Sequence, residues 1–241
     1  MTTTLYFYSE SLEPGDVAST RLLAVEPGRF IIAGWTGRDV AAIEHHIEEL
    51  EALGVPRPST VPLYYRAGRN LLSQAASVEV VGGDSSGEAE PVLFFAQGEW
   101  WLTVGSDHTD RTVESYSVAV SKQMCPKPVA TTAWRWRDVA GRQDELQLES
   151  RIYEDGRWVS YQRGTLASIR PLEALRDGFF GGGDAGPEPG HIMFCGTLGA
   201  IPNQQGKGIR PAAMMEISLQ DPVRKRAIVH RYAVDVLPVV A

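Results

Sequence analysis

Apolar and polar residues alternate along most of this chain in short runs, a pattern typical of β-strands that bury one face or both. Turns rich in glycine and proline separate the runs, and Asp155-Gly156 is a strong hairpin signal. Short strands are expected within residues 1–36. Later strands are predicted at 78–81, 92–95, 100–104, 115–120, 146–153, 158–162, 191–195, 214–219 and 227–236.

A different periodicity begins at Asp39. Apolar residues recur there at spacings of three and four, at Val40, Ile43, Ile47, Leu50 and Leu53. This spacing predicts an amphipathic helix with Asp39 as its N-cap, and Gly54 and Pro56 end it. A second, short helix is expected at 171–176. We therefore predict a β-rich α+β fold with one appreciable helix near its start.

The length of 241 residues suits one large domain with a substantial core. We divide it into an N-terminal β segment at 1–38, a helix with its proline-rich connector at 39–76, and a β-rich core at 77–241. No internal repeat or low-complexity segment is present in the sequence.

The charge of the chain argues against nucleic-acid binding. Its formal net charge is −7, and the single cationic run, 224–226, is expected to be a solvated turn between two strands. A surface that binds phosphates needs clustered lysine and arginine.

The first ten residues lack the basic and apolar segments of a secretory signal, and no stretch approaches the ~18 apolar residues of a membrane span. We therefore expect a cytoplasmic protein without membrane contact. Cys125 and Cys195 have no metal-binding spacing and are predicted to be reduced and buried.

The most informative polar residues are three carboxylates. Glu88 and Glu90 lie two positions apart, so in an extended strand they point to the same face. Asp107 follows an apolar stretch long enough for the chain to turn back to that face. An all-oxygen site of this kind suits Mg²⁺, Mn²⁺ or Ca²⁺ rather than zinc. The spacing alone also fits two glutamates on an exposed strand and an aspartate that caps a turn.

Six short stretches occur in a set order between about residue 40 and residue 240. They are His46-Ile-Glu-Glu49, Pro62-Leu-Tyr-Tyr65, Glu88-Ala-Glu90, Ser106-Asp107-His-Thr-Asp-Arg111, Ser121-Lys122-Gln123 before Pro126, and Pro189-Gly190-His191-Ile192-Met-Phe-Cys-Gly196-Thr197-Leu198. In this order they resemble the motifs of the fumarylacetoacetate hydrolase superfamily. The resemblance implies the superfamily's mixed β-sandwich roll, with the helix after Asp39 as a lid.

The resemblance also implies roles for single residues. Glu88, Glu90 and Asp107 would hold Mg²⁺ or Mn²⁺, with Ca²⁺ possible, and Lys122 would lie where a cation stabilises a developing oxyanion. Substrate contacts would come from Arg111, Thr197 and Tyr65. For Arg111, neutralisation of the carboxylates is the favoured alternative.

Hydrolytic cleavage of a carbon–carbon bond needs a base that activates water, and the resemblance implies His46 with Glu49 for that role. The two are three residues apart on the predicted helix and are therefore neighbours. His45 has Glu48 at the same spacing, so geometry leaves a tie that the lid motif breaks in favour of His46. The alternative is that His46 and Glu49 are surface residues of an amphipathic helix.

Four positions depart from the superfamily's pattern. Ser106 replaces an asparagine, Gln123 a serine, His191 an aspartate and Glu114 a glutamine. Because side chains near a pocket decide which oxygen groups are accepted, the resemblance does not determine the substrate.

The sequence therefore predicts a divalent-metal-dependent hydrolase that cleaves a carbon–carbon bond in a small 2,4-dioxo, acylpyruvate-like acid. The alternative is a lyase on a 2-oxo acid, either an oxaloacetate-type decarboxylase or a 2-oxo-3-deoxy sugar acid dehydratase. A third hypothesis is a metal-binding protein without catalysis. A homodimer is expected, because members of the superfamily commonly pair.

Overall fold

The computed structural model describes residues 3–10, 21–52, 57–181 and 187–240, without the side chains of His46, Glu49 and Leu50. Its strands are Leu5–Glu10 (β1), Arg21–Val25 (β2), Phe30–Gly34 (β3), Leu63–Ala67 (β4), Leu72–Ser73 (β5), Ser77–Val81 (β6), Ser85–Ser86 (β7), Ala89–Ala96 (β8), Glu99–Ser106 (β9), Thr109–Asp110 (β10), Lys127–Pro128 (β11), Thr132–Arg135 (β12), Gln147–Glu154 (β13), Arg157–Thr165 (β14), Ile192–Phe194 (β15), Met214–Asp221 (β16) and Arg226–Leu237 (β17). Its α-helices are Val40–Ala52 (α1), Arg111–Tyr116 (α2), Val118–Met124 (α3) and Leu172–Phe180 (α4).

Two sheets dominate the described part of the chain. The larger has eight strands in the order β2-β1-β12-β9-β8-β15-β3-β4, in which β1 and β12 are parallel, as are β15 and β3. The smaller has the order β14-β13-β16-β17-β6 and is antiparallel except for its β17–β6 edge. The strands of the N-terminal segment belong to the larger sheet, beside the strands of the core.

Strand β8 is buried on both faces, because apolar clusters lie on either side of the larger sheet. Leu93 belongs to the cluster that contains residues of both sheets, such as Trp134 and Ile217. Its neighbour Phe94 belongs to an aromatic cluster on the opposite face, where it stacks on Phe7 at 4.2 Å between ring centroids. This double burial explains the uninterrupted apolar run at 92–95, between Glu90 and Asp107.

Helix α1 begins as predicted. The Asp39 Oδ1 atom accepts a hydrogen bond from the Ala42 amide at 3.0 Å, and the helix runs over 40–52. The hairpin between β13 and β14 is also confirmed, with Asp155 and Gly156 at φ 50° and 76°. Positive φ at both central residues is the geometry that a two-residue hairpin loop requires.

The strand predicted at 115–120 is wrong. Residues 111–124 form the two short helices α2 and α3, because Asp110 and Ser117 cap their N-termini: Asp110 Oδ1 accepts from the Val113 amide at 2.9 Å, and Ser117 Oγ from the Val120 amide at 3.4 Å. Capping by short polar side chains favours helix starts that apolar periodicity does not show.

Both cysteines are free and buried, as expected from the sequence. The longest helix of the described residues has 13 residues, and none of these helices could cross a bilayer.

Candidate metal centre

The predicted carboxylates line one cavity of about 240 Å³ near the ends of β8 and β9. The described residues around it are Ala33, Gly34, Trp35, Thr36, Gly37, Glu88, Glu90, Asp107, Lys122, Gly196 and Thr197. The structure thus brings together the three predicted metal ligands, the predicted catalytic lysine and one predicted substrate contact.

Strand pairing explains how three carboxylates reach one place. Glu90 lies near the start of β8 and pairs with Gly105 of β9, and the Asp107 amide donates to the Glu88 carbonyl oxygen at 2.9 Å. Asp107 therefore leaves β9 directly opposite the residue that leads into β8. The antiparallel pairing of β8 and β9 thereby places the three side chains close together, although 16 residues separate Asp107 from Glu90. The proximity of Glu90 and Asp107 therefore depends on the hairpin and not on nearness in the sequence.

A backbone amide fixes the Glu90 carboxylate. Gly196 N donates to Glu90 Oε2 at 2.8 Å, from a residue with φ 97° that follows β15. A Cβ atom at this position would lie 1.6 Å from Thr36 Oγ1. Gly196 is therefore required both by its left-handed backbone and by the close approach of Thr36.

Two ammonium groups engage the Asp107 carboxylate. Lys122 Nζ contacts Oδ2, and Lys127 Nζ contacts Oδ1 at 2.9 Å. Burial alone would raise the pKa of Asp107, but the two ammonium groups outweigh it and hold that pKa well below its usual value. Asp107 is therefore ionised at neutral pH.

Lys122 lies on α3 and is nearly buried, with its ammonium 5.3 Å from the centre of the Tyr65 ring. Burial would lower the pKa of Lys122, but Asp107, Glu90 and Glu88 outweigh it and raise that pKa above its usual value. The group is thus a permanent positive charge that faces the cavity. The predicted Tyr65 contact with a substrate stays a prediction, and the structure shows this ring against the lysine.

The pKa values of Glu88 and Glu90 shift in the opposite direction from that of Asp107. Loss of water raises the pKa of Glu90 well above its usual value, and the charge of Asp107 raises it further. Loss of water also raises the pKa of Glu88, although Arg111 opposes the shift. Carboxylates whose ionisation is disfavoured in this way gain from a cation between them.

Arg111 pairs with carboxylates beside the cavity and is not among the described lining residues. Its Nη2 lies 3.2 Å from Glu88 Oε2, its Nη1 donates to Glu114 Oε2 at 2.7 Å, and its Nε donates to Ser86 Oγ at 2.7 Å. This arrangement favours neutralisation over a substrate contact. Glu114, which departs from the superfamily's pattern, is the second partner of this arginine.

Thr197 lines the cavity, but its hydroxyl is engaged. Thr197 Oγ1 donates to the Ala89 carbonyl oxygen at 2.8 Å and accepts from Gln162 Nε2 at 2.7 Å. Gln162 Oε1 accepts from the Ala89 amide at 2.8 Å. Gln162 and Thr197 therefore hold the start of β8 in place, and the predicted Thr197 contact with a substrate stays a prediction.

The segment 34–37, which leads from the end of β3 toward α1, also lines the cavity. Trp35 in this segment has φ 58°, a conformation that bulky residues seldom adopt. A hydrogen bond joins the Trp35 side chain to the Tyr65 hydroxyl. Strained backbone of this kind often occurs at functional sites, where the surrounding structure holds it.

His108 points away from the carboxylates, as neighbouring residues of extended chain should. Its Nδ1 lies 3.0 Å from the Tyr232 hydroxyl and its Nε2 3.0 Å from Ser85 Oγ. Burial, with the charges of Lys127 and Arg111, lowers the pKa of His108 to about 3. His108 is therefore neutral, and its two hydrogen bonds hold the backbone next to Asp107 in place.

The predicted base dyad lies on α1. His46 and Glu49 belong to this helix, but their side chains fall outside the described residues, so the dyad stays a prediction. The apolar face of α1 is anchored by Ile47, which is buried. The helix begins three residues after Gly37 of the cavity wall.

A divalent cation fits the chemistry of this donor set, because three carboxylates are hard oxygen ligands. Within the described residues, no three side chains of histidine, cysteine, aspartate or glutamate are arranged so that they could hold a metal ion. Both oxygens of Asp107 face ammonium groups instead. A cation on Asp107 would therefore have to displace Lys122, which lines the cavity.

Two residues of the site were missed from the sequence. Lys127 contacts Asp107 from β11, and Gln162 fastens Ala89 and Thr197 from β14. A lysine between Pro126 and Pro128 is an unusual pattern that could have drawn attention to Lys127. Gln162 stands in an ordinary strand and carries no comparable signal.

Proteins of known structure share the fold of this chain. The chain superposes on Cg1458 in complex with an inhibitor with a TM-score of 0.60 at 14% identity, covering 91% of this chain and 81% of that one. It also matches a hexagonal crystal form of 2-keto-3-deoxyarabinonate dehydratase with a TM-score of 0.57 at 14% identity, over 92% of this chain and 78% of that one. At this level of identity the likeness shows a shared fold, which confirms the predicted β-rich α+β fold and agrees with the predicted resemblance.

A third match is 2-keto-3-deoxy-D-arabinonate dehydratase complexed with magnesium and 2,5-dioxopentanoate, with a TM-score of 0.56 at 14% identity, over 90% of this chain and 77% of that one. No curated protein matches the chain in sequence. The chain belongs to the family described as protein of unknown function (DUF2848), whose model matches residues 33–232.

Proposed function

We propose that this protein is a divalent-metal-dependent lyase that acts on a small 2-oxo acid. One observation carries the proposal: Glu88, Glu90, Asp107 and Lys122 line a single cavity at the ends of two paired strands. The shared fold of a dehydratase that holds magnesium and 2,5-dioxopentanoate supports the lyase over the hydrolase predicted first.

Glu88, Glu90 and Asp107 would hold the cation, with Mg²⁺ and Mn²⁺ preferred and Ca²⁺ as a further candidate. When bound, such a cation supplies Lewis-acid polarisation of the substrate's 2-oxo group. The nearby Arg111 neutralises Glu88 from outside the cavity, so the carboxylates are held close together at a lower cost in repulsion.

Lys122 provides a permanent positive charge in the cavity. Because its pKa is raised, it keeps its proton at neutral pH and cannot act as the base. A charge in this position stabilises the enolate oxygen that forms when carbon 3, next to the 2-oxo group, loses a proton in dehydration or carbon dioxide in decarboxylation. Both the dehydration and the decarboxylation of a 2-oxo acid develop such a negative oxygen.

Hydrolysis of an acylpyruvate-like acid is the second candidate. It needs an activated water molecule in addition to the cavity charge, and His46 with Glu49 would provide the base. The position of α1 directly after the cavity wall is the observation that supports it. The lid role of α1 belongs to this proposal as well.

A titration tests the metal site. Glu90→Gln should weaken the binding of Mn²⁺ by about 10–100-fold or more, measured by calorimetry and by electron paramagnetic resonance of the free ion. Glu99→Gln is the matched control, because Glu99 lies at the other end of the same hairpin and pairs with Arg135. Equal affinities in the wild type and Glu90→Gln would contradict the assignment.

Turnover separates the reactions. The purified protein with Mg²⁺ or Mn²⁺ would be offered 2-oxo-3-deoxy sugar acids, oxaloacetate and acylpyruvates, with products identified by mass spectrometry. Loss of water or of carbon dioxide supports the lyase. Cleavage of acylpyruvates alone would replace it by the hydrolase, and metal binding without turnover of any of them would favour the non-catalytic hypothesis.

A further inference from the structure

The site contains a second lysine whose contacts differ from those of Lys122. Lys127 lies in β11, which pairs with β5, and its side chain is 0% exposed. Its ammonium donates to the His108 carbonyl oxygen and lies 2.9 Å from Asp107 Oδ1. Lys127 is not among the described residues that line the cavity.

The two oxygens of Asp107 therefore have different surroundings. Oδ2 contacts Lys122, whose side chain lines the cavity and can be displaced into it. Oδ1 contacts Lys127 and accepts from Thr109 Oγ1 at 3.3 Å, and both of these residues are fully buried. A cation in the cavity can compete for Oδ2, whereas Oδ1 stays with its buried donors.

We propose that Lys127 is a specificity-determining residue that restricts Asp107 to a single oxygen toward the metal. The inference rests on the proposed metal site. Ca²⁺ accepts two oxygens of one carboxylate in a flexible shell of six to eight ligands, whereas Mg²⁺ demands a near-ideal octahedron. Restriction of Asp107 to Oδ2 therefore selects Mg²⁺ and Mn²⁺ over Ca²⁺.

A ratio of two metal affinities separates the number of available Asp107 oxygens from the effect of the lost lysine charge. Removal of the Lys127 ammonium lowers the repulsion toward every divalent cation, so both affinities rise together for that reason. The ratio of the Ca²⁺ and Mn²⁺ dissociation constants cancels this common contribution. What remains is the difference between one available oxygen of Asp107 and two.

The test measures Mn²⁺ binding by electron paramagnetic resonance and Ca²⁺ binding by competition, on the full chain. The wild type should prefer Mn²⁺, and Lys127→Met should lower the ratio of the Ca²⁺ constant to the Mn²⁺ constant by about tenfold, the scale found for residues that orient metal ligands. Lys122→Met is the matched control, because it removes an equal charge from the other oxygen of the same carboxylate. It should change both affinities in parallel and leave the ratio unchanged.

The outcomes are distinguishable. An unchanged ratio in a folded Lys127→Met protein overturns the inference and leaves the metal site standing, whereas a wild type that binds no Mn²⁺ overturns the proposed function itself. If Lys127→Met does not fold, Thr109→Val removes the other donor to Oδ1. A smaller shift of the ratio in the same direction then supports the inference, and no shift overturns it.

Discussion

The buried carboxylate of Asp221 should make a large, pH-dependent contribution to stability. Asp221 ends β16 and its side chain is 0% exposed. Arg142 donates to both of its oxygens at 2.6 Å, and Arg226 Nε donates to Oδ2 at 3.2 Å. We expect Asp221→Asn to lower the free energy of unfolding at pH 7 by about 3–5 kcal/mol, the usual cost of breaking a buried ion pair.

The pH dependence follows from the pKa of this group. Burial raises the pKa of Asp221, but Arg142, the Arg224 amide and Arg226 outweigh it and hold the pKa at about 2, against an ordinary 3.8. The difference corresponds to about 2 kcal/mol of stability above pH 4, which is lost as the pH falls from 4 toward 2. The gap in stability between the wild type and Asp221→Asn should therefore shrink by about 1 kcal/mol between pH 6 and pH 3.

Urea unfolding followed by tryptophan fluorescence measures both effects. Asp144→Asn is the matched control, because Arg38 also donates to both Asp144 oxygens at 2.6 Å, but the two side chains are 35% and 49% exposed. Solvent screens this pair, so its loss should cost only about 0–1 kcal/mol. Equal losses in the two variants, or a gap for Asp221→Asn that does not change with pH, would refute the reasoning.

Two predictions concern activity and assembly. If hydrolysis is the reaction, His46→Ala should lose about 10²–10⁴-fold in kcat while His45→Ala stays near the wild type and both keep their metal; equal, small losses in steady-state assays would favour the lyase. The protein should be a homodimer, and light scattering at micromolar concentration should give about twice the 26.4 kDa of the chain, whereas a value near the single-chain mass would contradict the expectation.

Local signals account for the parts of the fold that the sequence predicted. Helix α1 has apolar residues at helical spacing and a capping aspartate, and the β13–β14 hairpin has two residues that tolerate positive φ. The carboxylate cavity was predicted because Glu88 and Glu90 share a face and because the order of motifs resembles a known superfamily. In each case the deciding residues lie close together in the sequence or in a recognisable order.

Contacts between distant segments account for what was missed. The 224–226 run was predicted to be a solvated turn between two strands. Arg224 and Lys225 are exposed in such a turn, but Arg226 begins β17 and its guanidinium lies 4.2 Å from the centre of the Trp134 ring. Lys127 reaches Asp107 because β11 pairs with β5, which lies more than fifty residues earlier in the chain. Neither contact leaves a periodic pattern, so hydrophobicity and turn signals could not reveal it.

The carboxylates and the segment 34–37, which both line the cavity, differ in how freely evolution can alter them. The carboxylates stand on or directly beside paired strands, so an insertion or a shift of register there would remove all three from the cavity at once. The segment 34–37 leads from β3 into a helix, and Trp35 within it belongs to none of the described strand pairs, so this side chain can vary without loss of a pair. Relatives of this chain should therefore keep one chemistry while they diversify in the molecules on which they perform it.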